Sequence, residues 1–366
     1  MKRIAITGAA GLLGWHAFCA LTAQGSATPI RISRATFEDA QALAEALRGC
    51  DAVLHCAGVN RADPDVVETA NPRIAQKLVD ALERTGTRAH IVYTNSTQAG
   101  TDTPYGRSKQ QAAQILEQWC SQHQVPFTNL IVPNVFGEGG KPFYNSVVST
   151  FCHQLARGEQ PSVLVDRELS LVHALDVAEA MLSALDPVSP GTKGFEGTTL
   201  RVSDLLAKLR DLSSTYARGE LPLVAEPFDR ALFNTYRSYL YPDMYPTSLT
   251  PRTDQRGRLV EVVRAHGGGQ TFVSSTRPGI TRGNHYHLRK IERFVVLQGQ
   301  ATIRLRKLGD EHVQTFDVSG EAPVVVDIPT LHTHNITNTG DTELTTLFWT
   351  NEFFDPARPD TFPMIV

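Results

Sequence analysis

Two rhythms of apolar residues divide the 366-residue chain. In its first half, short apolar runs alternate with stretches whose apolar positions recur every three or four residues. Residues 3–7 (R-I-A-I-T), 29–33 (P-I-R-I-S), the segment from Asp51 (D-A-V-L-H) and residues 89–94 read as strands. Residues 15–22, 40–49 and 71–83 read as helices, the last with Leu78, Val79 and Leu82 at helical spacing. Such alternation predicts a doubly wound parallel sheet of Rossmann type with helices on both faces. A proline- and glycine-rich loop follows from Pro187 to Gly197, then helices over 202–212 and 229–239. The dipeptides Tyr241-Pro242 and Tyr245-Pro246 then break regular structure. From Thr247 the period changes to two, in runs such as 259–263, 270–274, 292–297, 301–305, 324–328 and 345–349. This predicts an all-β sandwich or barrel of about 120 residues. The expected division is therefore 1–245 and 246–366.

Composition narrows the partners. Thirty-five basic residues against 38 acidic ones leave a formal charge of -3, which gives no broad footing for nucleic acid. No apolar span of about 20 residues occurs, so membrane insertion is not expected. The five cysteines, Cys19, Cys50, Cys56, Cys120 and Cys152, are odd in number and lack a C-x-x-C pair. That argues against a disulfide framework and for a reducing, cytoplasmic setting.

The chemistry of the first half starts at its first turn. Gly8-x-x-Gly11-x-x-Gly14, enclosing Leu12 and Leu13, lies between a strand and a helix. Small residues there let backbone N–H groups approach a pyrophosphate at the helix start. The turn after the third strand, Cys56-Ala57-Gly58, joins the expected cofactor set. Where an acidic residue would bind the ribose of NAD, the second strand ends in Arg31, Ser33 and Arg34, which suit the 2'-phosphate of NADP. Tyr105 and Lys109 are four apart on a predicted helix, about 6 Å from each other on one face. An ammonium beside a phenol lowers its pKa and fits it for proton transfer. Ser96 or Thr97, at the end of the fourth strand, supplies a hydroxyl to orient a carbonyl. Lys141 and Asn145 lie in a loop suited to a substrate diphosphate.

The second half carries a metal-site pattern. Gly279, His285, His287, Glu292 and Gly299 fall in one segment, and Pro329, His332, His334 and Asn338 in another. His285, His287, Glu292 and His334 form a three-nitrogen, one-carboxylate set suited to Zn²⁺ or another divalent metal. Lys290 and His332 are candidates for acid/base work beside it.

These motifs carry family resemblances. The glycine turn, the strand-end hydroxyl and Tyr105-x-x-x-Lys109 resemble the extended, nucleotide-sugar-modifying branch of the short-chain dehydrogenase/reductase superfamily. That branch implies nicotinamide and substrate contacts at Asn134 and Val135, and nucleotide contacts near Arg167 and His173. Its dehydratases carry an acidic pair where this chain has Gln98 and Ala99, so a reductase fits better. The segment from Gly279 to Gly299 resembles the first motif of the cupin superfamily. The second cupin motif is met in part, with Leu331 where the family has glycine. The whole chain resembles a bifunctional epimerase/reductase family of capsular and O-antigen polysaccharide biosynthesis. The resemblance implies a UDP-linked 2-acetamido-2,6-dideoxy-4-hexulose, epimerised at C3 in the cupin domain and reduced at C4 with NADPH. The product would be UDP-2-acetamido-2,6-dideoxy-L-talose, and the enzyme a homodimer joined through the cupin domain. The alternative is a C4 reductase whose cupin domain is a dimerisation or structural module.

Overall fold

The computed structural model describes residues 1–185 and 190–366; Pro187, in the expected loop, lies outside them. The chain forms two compact units, Met1–Thr150 with Val163–Leu205, and Phe151–Ser162 with Leu206–Val366. Residue 246 falls inside the second.

The first unit runs β1 (Lys2–Thr7), α1 (Leu12–Gln24), β2 (Ala27–Ile32), α2 (Arg34–Glu38), α3 (Ala40–Leu47), β3 (Ala52–His55), α4 (Pro64–Thr85), β4 (His90–Ser96), α5 (Pro104–His123), β5 (Phe127–Val132) and β6 (Asn134–Phe136). Helix α6 (Val147–Ala156) passes into the second unit; β7 (Glu168–His173), α7 (Ala174–Ser183), β8 (Gly191–Gly194), β9 (Thr198–Arg201) and the start of α8 (Val202–Ala217) return to the first. Six strands form a parallel sheet in the order β2-β1-β3-β4-β5-β8. A smaller sheet has the order β6-β7-β9. Ile4, Ala5, Ile6, Val53, Leu54, Ile91 and Val92 are fully buried, because a sheet covered by helices on both faces has no polar side. Helix α4 starts seven residues before the expected position. The helical apolar pattern of its second half hides a polar first half, in which Pro72 is accommodated inside the helix.

The second unit holds α9 (Pro227–Ser238), β10 (Thr247–Ser248), β11 (Arg252–Asp254), β12 (Gly257–Leu259), β13 (Gln270–Thr276), β14 (Thr281–Tyr286), β15 (Glu292–Gln298), β16 (Gln300–Lys307), β17 (Val313–Ser319), β18 (Val324–Ile328), β19 (His332–Asn338), β20 (Leu344–Thr350) and β21 (Phe362–Pro363). Two five-stranded antiparallel sheets, β10-β18-β15-β20-β13 and β17-β16-β19-β14-β21, share a core of Phe294, Val296, Ile303, Leu305, Val326, Ile328 and Ile336. Alternation along β15 turns Glu292, Phe294 and Val296 one way and Arg293 the other. Arg293 makes a buried bidentate pair with Asp327, 2.7 and 2.8 Å. The Tyr216 hydroxyl donates to the same carboxylate at 2.5 Å. Helix α9 supplies the buried Arg237, whose guanidinium donates to the Ile328 carbonyl at 2.8 Å. These contacts explain why α9 groups with the β-rich unit.

Candidate functional sites

In a parallel sheet the carboxyl ends of the strands converge on one edge, where α/β proteins bind ligands. Gly8 adopts φ +65°, and a Cβ there would lie 2.8 Å from the Ala57 nitrogen. A Cβ on Gly14 would lie 2.2 Å from the Gly8 carbonyl oxygen. The turn therefore packs against Cys56-Ala57 at a distance only glycine permits, and α1 begins at Gly11 with no side chain capping its amides. The Thr7 hydroxyl meets His55 Nδ1 at 2.8 Å and accepts from the Ala57 N–H at 3.2 Å. At the end of β2, Arg31, Ser33 and Arg34 are all exposed. The Arg31 guanidinium lies over the Phe18 ring, 4.8 Å from its centre, and Ser33 caps α2 by accepting from the Thr36 N–H.

Helix α5 starts at Thr103, whose hydroxyl accepts from the Gly106 N–H at 3.0 Å. Its first turn brings Tyr105 to Ser96. Burial raises the Tyr105 phenol above its ordinary pKa, and the hydrogen bond with Ser96 partly offsets this. Thr97 is exposed, and its N–H donates to the Val132 carbonyl. Lys109 lies beneath, fully buried. Its ammonium donates to the Thr94 carbonyl at 2.6 Å and sits 4.2 Å from the centre of the Tyr93 ring. Burial brings its pKa down to about 7. The sequence expectation that Lys109 lowers the phenol is thus not what this geometry shows. The group acting on the phenol in that direction is Ser96, and the ammonium is turned to a backbone carbonyl.

Asn71, which the helical pattern offered only as a helix start, ties this region together. Its side chain bonds both backbone groups of Val59 at 2.9 Å and donates to the Ser108 hydroxyl at 2.9 Å. A buried asparagine within a helix needs several partners, and burial at this position is not readable from the local pattern.

The substrate candidates are less unified. Asn134 is exposed and donates to the Ser170 carbonyl at 3.1 Å, beside the half-buried Val135. Lys141 lies 5.3 Å from the centre of the Tyr144 ring, and Asn145 and Arg167 are exposed. Arg61 holds the loop by donating to the carbonyls of Phe143 and Tyr144. His173 is buried, caps α7, and meets Glu138 at 3.0 Å, while His16 meets the same carboxylate oxygen at 3.2 Å. Burial opposes the Glu138 charge, but the two imidazoles outweigh it and hold its pKa well below the ordinary value. His173 is thus part of an internal cluster with Glu138 and His16.

In the second unit, ligand-type atoms of His285, His287, Glu292 and His334 all lie within 4.8 Å of one another. β14 carries His285, the turn directly after it His287, and β15 and β19 the others. His287 Nε2 is 3.1 Å and His334 Nε2 3.0 Å from one Glu292 oxygen. The far nitrogen of His287 faces the Asp360 carbonyl at 2.5 Å. A carbonyl only accepts, so that nitrogen carries a proton, and Nε2 is the nitrogen presented to Glu292 and the other ligand-type atoms. Burial and the neighbouring imidazoles bring His285 down to about 3. Imidazole and carboxylate donors converging on one point fit a divalent cation. Gly283, at the bulge of β14, has φ +96°, and a Cβ there would lie 2.9 Å from the His334 carbonyl oxygen. Leu331, where a glycine was expected, takes the left-handed φ of +61°. Its N–H donates to the His287 carbonyl at 2.8 Å.

The other two candidates differ from each other. The ammonium of Lys290 is buried and donates to the Pro359 carbonyl at 2.8 Å. It also reaches the Thr361 hydroxyl at 3.4 Å. His332 lies on the same face of β19 as His334 by the two-residue alternation of a strand. Its Nδ1 meets the Thr330 carbonyl at 2.8 Å, and its ring stands edge-on to Tyr241, 5.0 Å between centres.

Residues 4–195 match the model of the NAD dependent epimerase/dehydratase family, and residues 252–362 that of the polysaccharide biosynthesis C-terminal domain. A Pseudomonas aeruginosa protein, UDP-2-acetamido-2,6-beta-L-arabino-hexul-4-ose reductase, is 30% identical over 98% of both chains. The crystal structure of the capsular polysaccharide assembling protein CapF from Staphylococcus aureus is 33% identical. It covers 99% of this chain and 100% of its own, with a TM-score of 0.63. RMD from Pseudomonas aeruginosa, solved with NADPH, is similar in fold at 19% identity, covering 66% of this chain and 98% of its own, with a TM-score of 0.57.

Proposed function

This chain belongs to the NAD dependent epimerase/dehydratase family, and on that premise we propose how its two sites divide one task. It is a bifunctional NAD(P)H-dependent reductase/epimerase acting on UDP-sugars for capsular polysaccharide biosynthesis. The observation that carries this is likeness along the whole chain, through both sites, to a protein named as a UDP-sugar reductase and to one named as a capsular polysaccharide assembling protein.

We assign residues 1–245 to reduction and 246–366, read as a cupin, to epimerisation. The substrate is a UDP-linked 2-acetamido-2,6-dideoxy-4-hexulose, and the cofactor NADPH, held at the glycine turn and favoured by Arg31 and Arg34. The bound nicotinamide supplies the hydride for C4. Ser96 orients the C4 carbonyl, and Tyr105 transfers its phenolic proton to the oxygen as the carbon is reduced, so ketone, hydride and proton become the alcohol. Lys109, with its depressed pKa, holds a proton that is readily released beneath that pair. In the second site, His285, His287, Glu292 and His334 would hold a divalent cation such as Zn²⁺, whose positive charge would ease loss of the proton beside the ketone. His332 is positioned to remove or return the C3 proton. The product is UDP-2-acetamido-2,6-dideoxy-L-talose. We further propose a cytoplasmic homodimer joined through the C-terminal domain, supported by the exposed Phe272 and Val273 on the edge strand β13.

The test is NADPH oxidation with this 4-keto sugar. Tyr105→Phe should lower kcat by about 10²–10⁴-fold while keeping cofactor affinity; full activity in that variant would overturn the assignment. The reductase-only reading is favoured by the name of the Pseudomonas relative. It predicts no solvent deuterium entering at C3 without NADPH, whereas the bifunctional reading predicts exchange.

A further inference from the structure

A buried aspartate outside the ligand set governs how one of the ligands is presented. Asp360 is 2% exposed and adopts φ +44°, unusual for a residue other than glycine. Its carboxylate accepts from three successive backbone N–H groups, those of Leu288 (3.0 Å), Arg289 (3.0 Å) and Lys290 (2.7 Å). These form the turn that leaves His287 and leads to Glu292. The backbone carbonyl of the same Asp360 receives His287 Nδ1 at 2.5 Å. Pro359, one residue back, receives the Lys290 ammonium. Just beyond, β21 pairs with β14, placing Pro363 opposite His285 and Phe362 opposite Tyr286. One short segment therefore braces His285 on β14, and His287 with the turn that follows it.

We infer that Asp360 is the positioning residue of the metal site: its carboxylate pins the 288–290 turn so that its own carbonyl fixes the tautomer and ring angle of His287. The inference rests on the metal reading given above and deepens it. A carboxylate bound to three amides cannot drift. The carbonyl on the same residue is therefore fixed relative to the imidazole. That contact keeps a proton on Nδ1 and presents Nε2 to the point on which the other ligand atoms converge. Partners of this kind fix ligand orientation, and losing one typically costs 10–100-fold in metal affinity. A residue that merely fastened a loop would affect stability and leave the ligand field unchanged.

The experiment uses the full chain, with Zn²⁺ affinity measured by chelator competition and Co²⁺ binding followed by its visible d–d absorption. Wild type should bind both metals, and His334→Ala should lose binding; a wild type that binds neither overturns the metal reading itself. With that reading standing, Asp360→Ala should bind Zn²⁺ about 10–100-fold more weakly and show an altered Co²⁺ spectrum. Asp360→Asn, which keeps the shape and tolerates the left-handed backbone, should fall between the two. Wild-type affinity and an unchanged spectrum in folded Asp360→Ala would overturn the inference, even if the melting temperature dropped. Should Asp360→Ala fail to fold, the same two readings on Asp360→Asn decide in the same way.

Discussion

Two imidazoles share one carboxylate oxygen beside α1: Glu138 takes both His16 and His173. Glu138 is held well below 4.5. His173 is raised above 6.5 because the Glu138 charge and hydrogen bond outweigh its burial. The two shifts have opposite pH limits. A depressed carboxyl contributes stability above its unfolded pKa and loses it as pH falls. A raised imidazole contributes fully below its unfolded pKa and loses it as pH rises through the folded value. Glu138→Gln should therefore cost about 3 kcal/mol, with the largest gap from wild type between about pH 5 and 6.5. Denaturant melts across pH would show it, and a gap that does not vary with pH would count against the ion pair. A second expectation at this scale separates the two strand-end hydroxyls. Ser96→Ala should reduce kcat far more than Thr97→Ala, since Ser96 is the one bonded to Tyr105; equal losses in NADPH oxidation would reject that distinction. The residues of this cluster were only partly legible beforehand. His173 stood in a recognisable segment, but His16 and Glu138 are 122 positions apart, and nothing in local spacing joins them.

Elements were legible where burial imposes a period. The strands of the parallel sheet and the two-residue alternation of the β-rich unit follow from which faces must be covered. What failed were the short polar pieces. Helix α2 is five residues long and rests on its Ser33 cap, and the polar start of α4 carries no apolar stripe. Leu331 shows the same limit from the opposite side. The motif's glycine is replaced, yet the left-handed backbone persists. The turn is held by its hydrogen bonds and by a leucine side chain buried to 1% exposure, which offset a backbone cost of about 1–2 kcal/mol. Strand β13 forms one edge of its sheet and exposes Val273 to 67%. If this edge forms the dimer, Val273→Asp should shift the protein toward monomer in sedimentation while leaving the far-ultraviolet spectrum intact. An unchanged dimer would move the interface elsewhere.

For the whole chain, a dinucleotide site and a metal-type site occupy separate compact units. Among the described residues, no helix is long and apolar enough to cross a membrane. Chelation should therefore divide the proposed activities. Treatment with a strong chelator should abolish deuterium exchange at C3 yet leave NADPH oxidation on a substrate already epimerised at that carbon close to its original rate. Parallel loss of both would mean that the metal maintains the fold as well as the chemistry. Both sites were foreseeable as sets of residues, because each condenses into short motifs. The parts brought in from elsewhere in the chain were not: Asn71 beneath the reductase helix, and Asp360 behind His287.

The bracing of His287 by Asp360 also sets an order of events during synthesis. His285, His287, Glu292 and His334 all leave the ribosome before residues 359–363 do. Until those residues arrive, the His287 ring has no carbonyl to fix its proton, and β14 has no β21 beside it. On the metal reading, tight capture of the ion is therefore a late step of biogenesis, set by translation through residue 363 and not by the appearance of the last ligand.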